Sequence, residues 1–344
     1  MTLAACENNS RNAGALPVGP VGQKVESNPQ ICSFNIQFLG NSKLRKNKEL
    51  AELLKKENCS MVVVQEIVAP PDLREVPNNP YFGTKNLPVV EDANEVIRPQ
   101  PLVTEFFLDM TAAGFDSFWL SEQDSGPVEK NNNNGSATEW FAVFYKSSIW
   151  DKALDLPNGF LAKDVTNSSD YDRVPYAFSF RDKLGRADFV LISVHLRPGA
   201  GSEDTERRGH EISSIQSWIA DQKKDSLEKD FIVLGDFNIE SEKELLTLES
   251  EEFQSLNIKA VFNTNTNVIQ PKPYDHIFIS PKESSEVPLV DNFKVIDLIQ
   301  KARVFWNPII PFPGEPYNHN IFRLYYSDHH PISFVMALPD RDDD

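Results

Sequence analysis

Eight side chains that could bind a metal or move a proton stand at or beside the ends of short apolar runs. "FNIQFL" carries Asn35 and "VVVQE" carries Glu66. "ISVHLRP" carries His195, "LGDFNIE" Asp236 and Asn238, "YDHIFI" Asp275, and "SDHHP" Asp328 and His329. Oxygen donors and imidazoles without thiolates favour magnesium, calcium or manganese over zinc. Magnesium usually takes one or two protein carboxylates and leaves positions for water and a substrate phosphate. Two histidines and spare carboxylates then suit general acid and base work on a phosphate ester. The strand-end residues therefore point to metal-assisted phosphoryl hydrolysis.

The elements that must position them are legible as period and length. An apolar run such as "FIVL" before Gly235 and Asp236 reads as a strand covered on both faces, its polar end at the mouth of a sheet where sites are commonly built. Strands are predicted at 31–39, 61–66, 115–120, 139–145, 174–181, 187–195, 231–236, 274–280 and 330–338. Helical spacing runs over 43–57, where Leu50, Leu53 and Leu54 share a face, over 102–113, and over 204–222 with Ile212, Ile215 and Ile219. Asn238 could cap the helix that follows, but Ser241 with Glu244 three residues on is the better N-cap. Strands outnumber helices and both recur throughout, so a mixed α/β protein of layered sheets is expected. "NNNNG" at 131–135 reads as an exposed loop and the terminal "DRDDD" as a solvated tail.

The chain has 344 residues, 40% of them hydrophobic, and no linker or internal repeat divides it, so one folded unit over 30–339 is expected, with a tail at 1–29 and an acidic tail at 340–344. A formal net charge of -17 argues against a general nucleic-acid coat protein, whose affinity comes from Lys and Arg. It leaves room for an enzyme that meets nucleic acid through a local patch. No run of 18 apolar residues is present, so no membrane-spanning helix is expected. "LAAC", ending in Cys6, has the form of a bacterial lipobox without the basic and long apolar segments that precede one. Read as a lipid anchor on a Gly-, Asn- and Ser-rich tether, it implies an exported or cell-envelope protein; read as chance, a cytoplasmic one. The chain's three cysteines are too few for a disulfide framework. Cys32 and Cys59 are expected as buried free thiols, with a bridge open to them only under the exported reading.

The ordered set of "FNIQFL", "VVVQE", "ISVHLRP", "LGDFNIE", "YDHIFI" and "SDHHP" resembles the endonuclease/exonuclease/phosphatase superfamily, nearest in pattern to its deoxyribonuclease I-like members, over roughly residues 31–338. The resemblance implies a four-layer sandwich of two packed β-sheets flanked by helices. It implies that Asn35 and Glu66 hold a divalent metal, with Asp328 completing or supporting the site. It makes His329 and His195 the two histidines, oriented by Asp275 and Glu139 respectively. Asp236 and Asn238 would position the attacking water and the phosphate, and Arg173 would bind phosphate. The implied cofactor is Mg2+, with Mn2+ or Ca2+ as alternatives, and the implied reaction is in-line attack of water on phosphorus.

Superfamily resemblance leaves the substrate open. The leading expectation is a monomeric endonuclease on DNA, with RNA as a further substrate; the alternative is a sphingomyelinase-like or inositol-phosphate phosphoesterase. Arg197, Arg207 and Arg208 would contact nucleic-acid phosphates or else lie on a solvated helix face. The stretch 304–320, with Trp306, Ile309, Ile310 and Phe312, would either pack across the sheet edge or dip into a lipid surface. His210 and His319 are read as structural or exposed, and His330 as packing.

Overall fold

In this computed structural model the described residues are 28–77, 91–92, 95–96, 99–126, 139–284, 286–305 and 317–342. Cys6, the "NNNNG" stretch, residues 306–316 and the last two residues lie outside them.

The principal elements in chain order are β1 (Gln30–Leu39), α1 (Asn47–Lys56), β2 (Cys59–Ile67), α2 (Pro101–Ala113), β3 (Ser117–Leu120), β4 (Trp140–Tyr145), β5 (Tyr176–Asp182) and β6 (Asp188–His195). They continue with α3 (Ser202–Asp225), β7 (Phe231–Asp236), α4 (Glu242–Leu248), β8 (Asp275–Ile279), α5 (Leu298–Ala302), α6 (His319–Tyr325) and β9 (Ile332–Val335). One sheet runs in the order β9-β1-β2-β4-β3, with the short strand Lys294–Val295 outside β9. The other runs β8-β7-β6-β5, edged by the short strands Gln254–Ser255 and Trp150–Lys152. Each sheet has a single parallel pair among these principal strands, β1 with β2 and β6 with β7; their other pairings are antiparallel. Helical crossovers make those parallel pairs: α1 links β1 to β2, and α3 links β6 to β7.

Because strand side chains alternate with period two, each buried strand feeds two apolar layers. In β2, Val62 and Val64 pack toward α1 and α2 with Leu50, Leu54, Phe106 and Phe107, while Met61 and Val63 pack between the sheets. In β6, Val190, Ile192 and Val194 lie under α3 with Ile212 and Ile215, while Phe189 and Leu191 face the other sheet with Ile232, Leu234 and Ile277. The layers are therefore helix, sheet, sheet, helix, as the resemblance implies.

The inter-sheet face changes character along every central strand. On β1 the sequence of inward residues is Ile31, Ser33, Asn35; on β2 Met61, Val63, Gln65; on β6 Leu191, Ser193, His195. On β7 it is Ile232, Leu234, Asp236, and on the antiparallel β8 Ile279, Ile277, Asp275. Apolar residues fill the gap at one end and hydrogen-bonding ones at the other. Midway, Gln65 Nε2 donates to Ser33 Oγ at 3.2 Å and Ser193 Oγ at 3.1 Å, tying the two sheets together just below the polar end.

Several sequence expectations shift. The first helix begins at Asn47, not Lys43, and the last strand is confined to Ile332–Val335. Pro331 and the His330 side chain, whose Nδ1 accepts the Leu298 N–H at 2.8 Å, hold the entry to that strand in a loop. Ser241 caps α4, accepting the Glu244 N–H, as its spacing suggests. The larger correction is at the cysteines: Cys32 and Cys59 are not free thiols but a disulfide joining β1 to β2, with their Cα atoms 5.9 Å apart. Cys59 pairs with Gln30 and Cys32 with Val62, and the register shift after Gln30 brings the two cysteines of these parallel neighbours diagonally into bridging range, a consequence of pairing that neither residue's local sequence reveals. Closing a loop across a separation of 27 residues should contribute about 3 kcal/mol by constraining the unfolded chain. Replacing both cysteines by alanine is expected to lower the free energy of unfolding in urea by about that amount, while an unchanged value would show that the bridge does not form.

Candidate functional site

The polar ends of the central strands meet at one mouth of the sandwich. Asp236, at the end of β7, stands at the centre. Its Oδ2 accepts the Asn35 Nδ2–H at 3.0 Å and lies 3.5 Å from His195 Nε2 and 3.5 Å from His329 Nε2. Its Oδ1 accepts the Asn238 backbone N–H at 2.8 Å. Two histidines, one at the end of β6 and one in the loop before β9, thus turn the same ring nitrogen toward one carboxylate oxygen.

Each imidazole is held from behind by its own acid. His195 Nδ1 meets Glu139 at 2.8 and 2.9 Å, and His329 Nδ1 meets Asp275 Oδ2 at 2.8 Å. Nδ1–H given to a carboxylate fixes Nε2 as the working nitrogen. Burial and the neighbouring Arg173 cation pull His195 down, but Glu139 and Asp236 outweigh them and its pKa is raised. For His329, burial is overcome by Asp275, Asp236 and Asp328, and its pKa lies well above the ordinary imidazole value. Burial would raise the buried Glu139 as well, yet His195 and Arg173 bring it below the usual range. Both shifts favour the protonated ring, whose Nε2–H can act as a donor, and most strongly at His329.

Three further residues complete the floor. Asn35 Nδ2 also donates to Glu66 Oε1 at 2.8 Å, and Glu66 Oε2 accepts the Phe38 N–H at 2.9 Å. Asn238 Nδ2 donates to the Leu196 carbonyl at 3.0 Å. Arg173 lies behind His195: its Nε is 2.8 Å from Glu139 Oε1, and its Nη1 donates to the carbonyls of His195 and Leu196. Glu66 and Asn238 have left-handed backbone, φ 63° and 53°, and so do Gln37 and Phe38. Non-glycine residues in that region cost on the order of 1–3 kcal/mol each and persist where the surrounding structure over-determines them, as here at the mouth.

The residues present fit a divalent ion. Burial pushes Glu66 up to about 7, with the Glu139 and Asp328 charges adding to it against the pull of His195 and Asn35. Asp328 Oδ1 is buried and accepts no hydrogen bond among the described residues. A buried carboxylate oxygen without a hydrogen bond, as at Asp328, is the kind of hard donor that a magnesium-like ion takes. Asp328 itself sits at the rim, a quarter exposed, 3.9 Å from His329 Nε2 and 3.7 Å from Arg323. By ligand-atom proximity the tightest acid–imidazole groups among the described residues are Glu66 with Glu139 and His195, and Asp236 with Asp275 and His329.

All ten residues singled out in the sequence come together here, with Arg173 at the back and Asp328 at the edge. Arg45 was missed. It precedes α1, donates to the Gln37 carbonyl, and keeps Nε and Nη1 buried without a hydrogen-bond partner. Burial lowers it to about 10 while Asp328 and Glu66 act as its counter-charges, so it remains a cation at neutral pH. In sequence it is one basic residue of "KLRKNK", which reads as a solvated helix face. The other arginines considered are committed elsewhere: Arg197 pairs with Asp172 and Asp204, Arg207 with Asp172, and the buried Arg208 with Glu244. Of the remaining histidines, His210 is an exposed partner of Asp170, and His319 is half-buried beside Thr266.

No family model matches the chain and no curated protein matches its sequence. Solved structures do match in shape. An endonuclease/exonuclease/phosphatase family protein from Leptotrichia buccalis is 15% identical with a TM-score of 0.51, covering 90% of this chain and 99% of that one. One from Bacteroides thetaiotaomicron is 14% identical at 0.50, covering 90% and 94%. A mannosyl-6-phosphatase of the same species is 15% identical at 0.51, covering 89% and 98%. The chain has the endonuclease/exonuclease/phosphatase fold, and the sandwich expected from its motifs is borne out.

The pairing of His329 with Asp275 is open to direct measurement. In metal-free protein, NMR titration should find the His329 ring still protonated at pH 7, and Asp275→Asn, which removes the opposing charge, should move its titration to lower pH by a unit or more. A ring that titrates near the ordinary value in both proteins would contradict the pairing.

Proposed function

We propose that the protein is a divalent-metal-dependent phosphoester hydrolase, with phosphodiesters as its substrates. The observation that carries this reading is the convergence of two acid-backed imidazoles on one oxygen of Asp236. A divalent ion held by Glu66 and Asp328, with Asn35 beside them, would act as a Lewis acid on the substrate phosphate. Asp236 holds the attacking water and takes its proton, with the Asn35 amide fixing the carboxylate. The Nε2–H groups of His195 and His329 face the same space and donate to the phosphoryl oxygens and the leaving oxygen as negative charge builds on them. Glu139 and Asp275 keep those rings charged. Asn238, clamped by Leu196 and Asp236, orients the phosphate, and Arg173 positions Glu139 from behind.

For the substrate, the order of motifs supports a deoxyribonuclease I-like endonuclease acting on DNA. One observation favours a second reading, a small phosphorylated substrate such as an inositol or sugar phosphate. Arg197, Arg207 and Arg208, which would have lined a nucleic-acid track, are held in internal ion pairs. Export is supported by the Cys32–Cys59 disulfide, since such bonds persist in oxidising compartments. Among the described residues no helix is long and apolar enough to cross a membrane.

Supercoiled plasmid, RNA, sphingomyelin, a phosphoinositide and a sugar phosphate, each assayed with Mg2+ and with EDTA, test the reading. Hydrolysis of at least one is expected, abolished by the chelator and reduced on the order of 10²-fold or more in both His195→Ala and His329→Ala. Turnover that survives EDTA, or that tolerates loss of both imidazoles, would overturn it.

A further inference from the structure

Arg45 stands beside the mouth without a task in the chemistry proposed above. Its Nη2 donates to the Gln37 carbonyl, while Nε and Nη1 are buried and make no hydrogen bond. Leaving two donors of a buried cation unmet is costly, so an arginine kept there calls for a reason beyond packing. The carbonyl it holds belongs to a strained turn. Near the end of β1, Gln37 and Phe38 are successive left-handed residues, φ 54° and 49°, in a backbone region unfavourable to both side chains. The Gln37 N–H donates to Asn35 Oδ1 at 2.9 Å, and the Phe38 N–H to Glu66 Oε2 at 2.9 Å. One oxygen of each of two proposed metal ligands is thus fixed by an N–H of this turn.

The backbone on either side of Arg45 is anchored to a different part of the site. Ser42 Oγ donates to the Leu324 carbonyl at 2.8 Å, and the Lys46 N–H donates to the Tyr325 carbonyl at 2.8 Å. Both acceptors lie in the last turn of α6, the helix that leads to Asp328. The charges of Asp328 and Glu66 act on the guanidinium from the two sides. Arg45 therefore links the turn beneath Asn35 and Glu66 to the segment that delivers Asp328. We propose that Arg45 is a positioning residue for the divalent-metal site, locking the Gln37–Phe38 turn so that Asn35, Glu66 and Asp328 are set before the ion arrives. The proposal rests on the reading of those three residues as the metal ligands.

Two effects of Arg45 on an incoming cation have opposite signs, which makes its role measurable. Its charge alone opposes a second cation at Glu66 and Asp328. Its hydrogen bond favours one, because ligands already in place lose less freedom on binding. If positioning is the task of Arg45, removing it must weaken ion binding even though a like charge is removed with it.

The test titrates MnCl2 by calorimetry into chelator-treated wild type, Glu66→Gln, Arg45→Met and Arg45→Lys, with NMR hydrogen exchange of the Gln37 and Phe38 amides measured on the same metal-free proteins. Wild type should bind Mn2+, and both Glu66→Gln and Arg45→Met should bind it roughly tenfold more weakly or worse. In Arg45→Met the two amides should also exchange roughly tenfold faster or more, as their turn loosens. Arg45→Lys, which restores a donor together with a positive charge, should bind Mn2+ more tightly than Arg45→Met. Should Arg45→Met not fold, Arg45→Gln, whose amide is too short to take the place of Nη2, is expected to show the same losses. An Arg45→Met or Arg45→Gln protein that binds Mn2+ as tightly as wild type, or more tightly as loss of charge alone would make it, would overturn the proposal. So would weakened binding with both amides protected as in wild type, or with no recovery in Arg45→Lys. Binding that Glu66→Gln leaves intact would instead overturn the reading of the metal site itself.

Discussion

Everything at the mouth of the sandwich depends on one oxygen. Asp236 Oδ2 is approached by an amide from one sheet and by two imidazoles, one from each sheet's side of the cleft. Gathering these groups around a buried carboxylate is tolerable only because the charges alternate outward: Asp236, then the two rings, then Glu139 and Asp275, then Arg173 behind Glu139. Each layer compensates the one inside it. Removing an outer member would leave an unpaired charge in a site with little water, a penalty of several kcal/mol in comparable buried pairs. The site is thus coupled electrostatically over three shells, and the strand ends must hold it to within ordinary hydrogen-bond distances.

The sandwich supplies that precision by a simple device. Two parallel strand pairs, each made by a helical crossover, bring the ends of β1, β2, β6 and β7 to the same edge, and the antiparallel β8 delivers Asp275 at its beginning. Along each of these strands the inward residue passes from aliphatic to hydroxyl or amide to acid or imidazole. The Gln65 bridge to Ser33 and Ser193 marks the change. Strand ends carry Asn35, Glu66, His195, Asp236 and Asp275, and the strained backbone at Glu66 and Asn238 is the local cost of aiming their side chains.

Much of this was legible in the sequence because period two exposes it. Apolar runs with a polar last residue identify both the strands and what they point at, and six such runs in order carried the fold. Glu139 was readable only through that order, since an acid before an apolar strand is otherwise ordinary, yet it lies 2.8 Å from His195. What was not legible depends on tertiary packing. The Cys32–Cys59 bridge follows from strand register, and Arg45 is hidden in a basic run whose neighbours face solvent. The commitment of Arg197, Arg207 and Arg208 to internal pairs needs the position of Asp172 and Glu244, which no local pattern gives.

The central claim, that Asp236 is the pivot of a hydrolytic site, is tested most directly by Asp236→Asn. The amide keeps the shape and can still accept the Asn238 N–H, but it cannot take a proton from water or offer a negative charge to the two rings. Steady-state kinetics on whichever phosphoester the wild type cleaves should show kcat lowered by about 10³-fold or more, with the fold intact by circular dichroism. A variant that retains wild-type kcat would contradict the account.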